Sequence, residues 1–234
     1  LINIQRAIER YSADHGWLKS NFSFSFADYY DEKYLQFGPM RVLNDDSIAA
    51  TEGFGMHPHR EMEIVTVVLN GVLEHKDSLG NRAETTWGGI QRMSAGTGVF
   101  HSEYNISKDE QLDLLQMWFL PSVKGISPSY ETTEFDTEGL ADTLVPIASS
   151  NGVEGKIAHV HQDMTIYLSA PSAGKPLAFT QGAGRKVFLF VLEGEVSVNG
   201  EAKLGRRDAA RIENVPELSI LSEKGARIML IDLP

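Results

Sequence analysis

The chain contains no cysteine. Disulfide frameworks, thiolate metal sites and cysteine nucleophiles are thereby excluded. Any bound metal must rest on imidazole and carboxylate, donors that suit iron, nickel, copper, manganese, cobalt or zinc. Positive charge is also short. There are 21 Lys and Arg residues against 32 Asp and Glu, a formal net charge of -11. Such a surface repels phosphate backbones and anionic bilayers, which argues against direct nucleic-acid binding. Long apolar runs are missing, so no segment is expected to span a membrane. The opening stretch LINIQRAIERYSADHGW carries Glu9, Arg10 and Asp14 where a secretory signal needs an apolar run. These features predict a cytoplasmic protein.

Sustained helical periodicity is absent too. Hydrophobic residues make up 42% of the chain, enough for a sizeable core, but they fall in short segments punctuated by Gly, Asn, Asp or Pro. That pattern predicts an all-β fold. Strands are expected over 22–26, 63–69, 98–104, 112–119, 165–169, 187–192, 195–198, 218–221 and 227–231. Asn70-Gly71 and Asn199-Gly200 sit beside such runs as hairpin turns do. The polar stretch 121–148, with short helical turns at most, reads as a connection. It predicts two domains, 1–125 and 126–234. VVLNGVLEH, beginning at Val67, resembles FVLEGEVSV, beginning at Phe190, at an offset of 123 residues. Two similar β-barrels in tandem are therefore expected.

The chemistry concentrates in two segments of the first half. In GFGMHPHREMEIVTVVLNG, His57 and His59 are two residues apart and share a strand face, with Pro58 holding the chain extended between them. The same parity reaches Glu61 and Glu63. In MSAGTGVFHSEYN, His101 and Glu103 are again two apart. One His-x-His pair is common among packed or surface residues. Two same-face pairs on strands of one barrel are more specific, and they bring three imidazoles and a carboxylate toward one point. Such a set leaves positions open on an octahedral ion for a substrate and dioxygen. Spacing alone leaves the carboxylate undecided. Phe54, Met56 and Phe100 flank the ligands as candidate pocket walls, although their parity opposes the histidines and suits a core role equally. His159 and His161 repeat the His-x-His spacing without a second pair. Moving the N-terminal positions by 123 residues lands on Thr180, Gly182, Lys224 and Ala226. The C-terminal domain is thus expected to be metal-free, with His159 and His161 structural or at the domain interface.

These segments resemble the two cupin motifs: a glycine, His57, His59, Glu63 and Gly71 in the first, and Gly98, His101 and Asn105 in the second, which lacks the usual proline. More narrowly, HPHREMEIVTVVLNGVLEHKDSLGN, SAGTGVFHSEYN, FGPMRVLNDDSI and HQDMTIYLSAP resemble the pirin family, and most the bacterial pirin-like quercetin 2,3-dioxygenases. The resemblance implies an all-β bicupin of two tandem cupin barrels, the second degenerate. It implies one divalent metal, iron foremost, with His57, His59, His101 and Glu103 as ligands and Glu63 as a residue behind them. The implied activity is dioxygenation of a flavonol such as quercetin, with ring opening and release of carbon monoxide. Glu103 would be the catalytic base, and a small aromatic substrate and dioxygen the partners. The alternative it implies is a metal- or redox-sensing regulator acting through a protein partner. A third reading is an ion that only holds the barrel together.

Overall fold

The structure is a computed structural model describing residues 1–234. Strands dominate, and the three helical elements are single 3-10 turns, among them Glu138–Leu140 in the connecting stretch. The all-β expectation holds.

The chain forms two compact units. One comprises 11–135 and 150–162, the other 1–10, 136–149 and 163–234. The expected cut after 125 differs from this division for local reasons. Ser129–Glu134 is a strand that pairs with Gly89–Ser94, which keeps it in the metal-candidate unit. Residues 150–162 join the same unit, where the His161 backbone and ring both bond to Glu63. The first ten residues belong to the other unit, where Ile2–Gln5 pairs with Ala209–Glu213 and Asp208 accepts from Arg6 and the Ala7 N–H.

Two sheets build the unit containing residues 11–135. The larger runs in the order Ser129–Glu134, Gly89–Ser94, Glu63–Asn70, Leu112–Phe119, Met40–Ile48, Leu18–Phe22, Tyr11–Asp14. The smaller runs Gly53–His59, Val99–Asn105, Leu73–Asp77, Arg82–Thr85. All these neighbours pair antiparallel. Leu18, Ile48, Val68, Leu112 and Leu114 of the larger sheet pack with Leu73 of the smaller one, so apolar burial holds the sheets face to face. The other unit repeats the plan around a core of Val187, Leu189, Val191, Val196, Val198, Ile212, Ile220, Ile228 and Leu230.

Of the two expected hairpins, one is correct. Val196–Val198 pairs with Ala202–Leu204 through a turn in which Asn199 and Gly200 take φ of 52° and 69°. Asn70-Gly71 instead turns a corner, since Glu63–Asn70 belongs to the larger sheet and Leu73–Asp77 to the smaller. Gly71 has φ +84°, and a Cβ there would lie 2.7 Å from the Gln111 carbonyl oxygen. Gly194, 123 residues later, has φ +81°, and its Cβ would lie 2.6 Å from the Gly225 carbonyl oxygen. The two halves therefore share the same corner, and the short repeat is structural. The strand expected over 22–26 is displaced: the strand is Leu18–Phe22, and Phe26 makes only an isolated bridge to Tyr29.

Candidate metal centre and adjoining cavity

Gly53–His59 is the edge strand of the smaller sheet, where Pro58 removes no needed ladder donor. It lies against Val99–Asn105 with His57 opposite His101 and His59 opposite Val99. The three imidazoles meet. The His57, His59 and His101 rings lie 4.4–4.8 Å apart, centre to centre. The Nε2 atoms of His57 and His101 are 2.9 Å apart. Two nitrogens bound at right angles to one ion at about 2.1 Å would lie about 3.0 Å apart, so this separation fits a shared octahedral ion. His57 Nδ1 donates to the Gly55 carbonyl at 2.7 Å, which leaves its Nε2 lone pair free. His59 Nε2 is buried without a hydrogen-bond partner. An orphaned buried nitrogen is costly unless something binds it. Burial first, and the neighbouring imidazoles next, push His59 down to about 4 and His101 to about 3, so both are neutral near pH 7, as metal ligands must be.

Glu103 lies one position further along the His101 face. Its Oε1 accepts from the Gln91 amide at 2.7 Å and its Oε2 from the Gln116 amide at 2.9 Å. Both glutamines are oriented from behind: Gln91 Oε1 accepts from the Tyr130 hydroxyl and Gln116 Oε1 from the Trp118 indole N–H. His101 and Glu103 also form a second potential cation-holding group, with His75. His75 is the site residue that the motifs pass over. It is wholly buried, though its spacing from Asp77 on one strand is the same two-residue signal.

The flanking residues separate. The strand pairing shifts between His101 and Glu103, setting Glu103 opposite Phe54. The step from His101 to Glu103 thus faces the longer step from His57 to Phe54, and the bulge moves Phe54 to the histidine face. The opposite parity assigned to Phe54 is overturned for that reason. Met56 and Phe100 keep it and are exposed. Glu63 stands apart from the imidazole cluster. Its Oε1 accepts from the Ser94 hydroxyl at 3.0 Å and from His161 Nδ1 at 2.9 Å, so the buried Glu63 is tied to the half-buried His161. Glu61 accepts from the Gly125 N–H, and Asn105 donates to the Ile48 and Glu110 carbonyls, both structural roles.

A cavity of about 300 Å³ opens on this cluster, reaching His57, His59, Glu103 and Gln116. Leu18, Phe22, Phe26, Phe54 and Trp118 form apolar walls, and His15, Ser20, Asn44 and Asp46 add polar groups. Trp118 sits edge-on to His59 at 5.0 Å and to Phe26 at 5.3 Å. Asn44 Oδ1 is buried without a partner. Burial pushes Asp46 up to about 7, against the opposing bond from the Ser20 hydroxyl.

Residues 3–119 match the pirin family, and residues 146–233 match the quercetinase C-terminal cupin domain. The chain is 42% identical over its full length to quercetin 2,3-dioxygenase of Escherichia coli K12, covering 99% of that protein. The chain belongs to the pirin family. A pirin-like protein of Caulobacter vibrioides is 37% identical over 94% of each chain. The crystal structure of the E. coli bacterial pirin YhhW in complex with nickel(II) superposes with a TM-score of 0.94, at 41% identity over 100% of this chain and 99% of that one. A quercetin 2,3-dioxygenase from Acinetobacter baumannii, 21% identical with a TM-score of 0.78 over 98% of this chain and 85% of that one, shares the fold. With both cupin matches in place, this pirin is a tandem bicupin.

Proposed function

We propose that this pirin is a metal-dependent dioxygenase that opens the heterocycle of a flavonol such as quercetin with dioxygen and releases carbon monoxide. The observation that carries the reading is the joining of two features in one cavity: an imidazole–carboxylate cluster and a set of aromatic walls. The quercetin 2,3-dioxygenase of E. coli, 42% identical, supports the substrate class. His57, His59, His101 and Glu103 would hold one divalent ion. The ion, when bound, supplies Lewis acidity toward the enolic oxygen and redox access to dioxygen.

The remaining work falls to the chain. Phe22, Phe26, Phe54 and Trp118 pack against a planar aromatic and exclude water from its anion. Glu103 takes the proton of the 3-hydroxyl as general base, and the Gln91 and Gln116 amides fix its orientation. Asn44 Oδ1 accepts from a substrate hydroxyl deeper in the cavity.

The test is anaerobic loading with iron, nickel, copper, manganese or cobalt, followed by quercetin, oxygen and carbon monoxide detection. Stoichiometric carbon monoxide with at least one ion is expected. Its absence with every fully loaded form would falsify the assignment.

A further inference from the structure

Behind the imidazole cluster lies a line of buried groups that the proposed reaction does not use. Asp77 and His75 alternate along the Leu73–Asp77 strand, which pairs with Val99–Asn105 so that His75 sits opposite Glu103 and Asp77 opposite His101. His75 Nε2 lies 2.8 Å from Asp77 Oδ2, both side chains being fully buried. The other nitrogen of the same ring, Nδ1, faces His101 Nδ1 at 3.4 Å. His101 Nε2 in turn faces His57 Nε2 at 2.9 Å. Tyr130 stacks on His75 at 3.8 Å and 8°, fixing the plane of the ring.

The contacts along this line, together with an ion on the imidazole cluster, select one set of tautomers. Every other group bonded to Asp77 is a donor: the N–H groups of Leu79 and Asn81 and the Asn81 amide. The Asp77 oxygens therefore act as acceptors, and His75 Nε2 must carry a hydrogen toward them. With its ring hydrogen directed at Asp77, His75 has Nδ1 as its acceptor. With an ion on the Nε2 atoms of His57 and His101, the single His101 hydrogen belongs on Nδ1, facing His75 Nδ1. The Nε2 of His101, bare in that state, is aimed at His57 and His59. A carboxylate–histidine pair in a core is ordinarily structural. This one ends on the second nitrogen of a candidate ligand, where an outer partner sets tautomer, ring orientation and basicity.

We propose that Asp77 and His75 form a buried relay that positions His101 and makes it a more electron-rich metal ligand. The relay rests on His57, His59, His101 and Glu103 being the ligands. Its effect is on the ion and not on the substrate, so His75 and Asp77 are positioning residues.

Two measurements test it. In the Zn(II)-loaded wild-type chain with nitrogen-15 histidine, NMR is expected to show His75 protonated at Nε2 and His101 at Nδ1. The opposite tautomer at either ring overturns the relay and needs no variant to do so. The second measurement uses His75→Phe, which keeps a ring against Tyr130. Co(II) binding is expected to weaken by about 10- to 100-fold, and the midpoint potential of the iron-loaded protein to rise. A purely structural role would lower the melting temperature and leave the potential unmoved. A folded His75→Phe protein with wild-type Co(II) affinity and potential overturns the relay. So do two Co(II) ions per wild-type chain, because an ion between the two Nδ1 atoms would replace the shared proton. A wild-type chain that takes up neither Zn(II) nor Co(II) overturns the ligand assignment and the relay with it. Metal uptake with reversed tautomers overturns the relay alone.

Discussion

Replacing Asp46 with asparagine removes one ionisable group from the cavity wall and should change how the stability of the metal-free protein depends on pH. Asp46 is 6% exposed. Burial raises it to about 7 from an ordinary 3.8; the Ser20 hydroxyl bond opposes the rise, and the charges of Asp45 and Glu103 add to it. The folded protein therefore keeps this proton where the unfolded chain has lost it. For an acid raised by folding, no penalty exists below the unfolded value near 3.8. The penalty grows as pH rises and is complete above the folded value near 7. That interval, at about 1.4 kcal/mol per tenfold change in proton affinity, sets a ceiling of about 4 kcal/mol. The asparagine amide keeps an acceptor for Ser20 and has no charge to bury. Urea titrations of both proteins between pH 4 and pH 9 give the comparison. The stability of Asp46→Asn relative to wild type should climb by roughly 2–4 kcal/mol from the acid end to the alkaline end. The imidazoles are common to both proteins and cancel in the difference. A difference constant to within about 0.5 kcal/mol would refute the account of this carboxyl.

Four further substitutions test other parts of the structure. Glu103→Ala should cut flavonol turnover by about 10²- to 10⁴-fold while metal content stays near wild type; equal turnover at equal occupancy would remove the base, and His101→Ala should lose both. Gly53→Ala places a Cβ 2.3 Å from the Glu103 carbonyl oxygen and 2.6 Å from Tyr104 Cα, both backbone atoms. It should cost about 1–3 kcal/mol and weaken metal binding, read by thermal melting and metal titration. His161→Ala strips a partner from the buried Glu63 carboxylate and should cost about 1–3 kcal/mol while leaving metal affinity unchanged, which separates that tie from the centre.

The parts of the site that follow strand parity were legible in the sequence. His57 and His59, and His101 and Glu103, are two apart on paired strands, and alternation is enough to turn each pair to one face. Parity failed at Phe54 because a bulge adds a residue between it and His57, where Gly55 is the only local sign of an irregular strand. Glu63 looked like a companion of the ligands because it shares their count from His59. Its true partner, His161, is 98 residues away and unreachable by local pattern. His75 was visible as a histidine in the turn-and-strand stretch after Gly71, but its meaning depends on Asp77, Tyr130 and His101 converging from three strands. Asp46 lies in the FGPMRVLNDDSI run, but nothing in that run singles it out; its perturbation comes from burial. The Asn70-Gly71 pair has hairpin chemistry, yet the chain uses the glycine to change sheets, a choice made by the Gln111 backbone passing 2.7 Å from where a Cβ would be.

That corner bears on how a duplicated fold ages. Any side chain at Gly71 or Gly194 would run into a neighbouring main chain, so drift at either place is stopped by geometry, whatever the protein does. Ligand positions enjoy no such protection. The C-terminal core is filled chiefly by Val, Leu and Ile. Tandem barrels of this kind therefore keep a record of their kinship in their bends. Matching turn glycines at a constant offset should reveal silent twins that a comparison of metal ligands would miss.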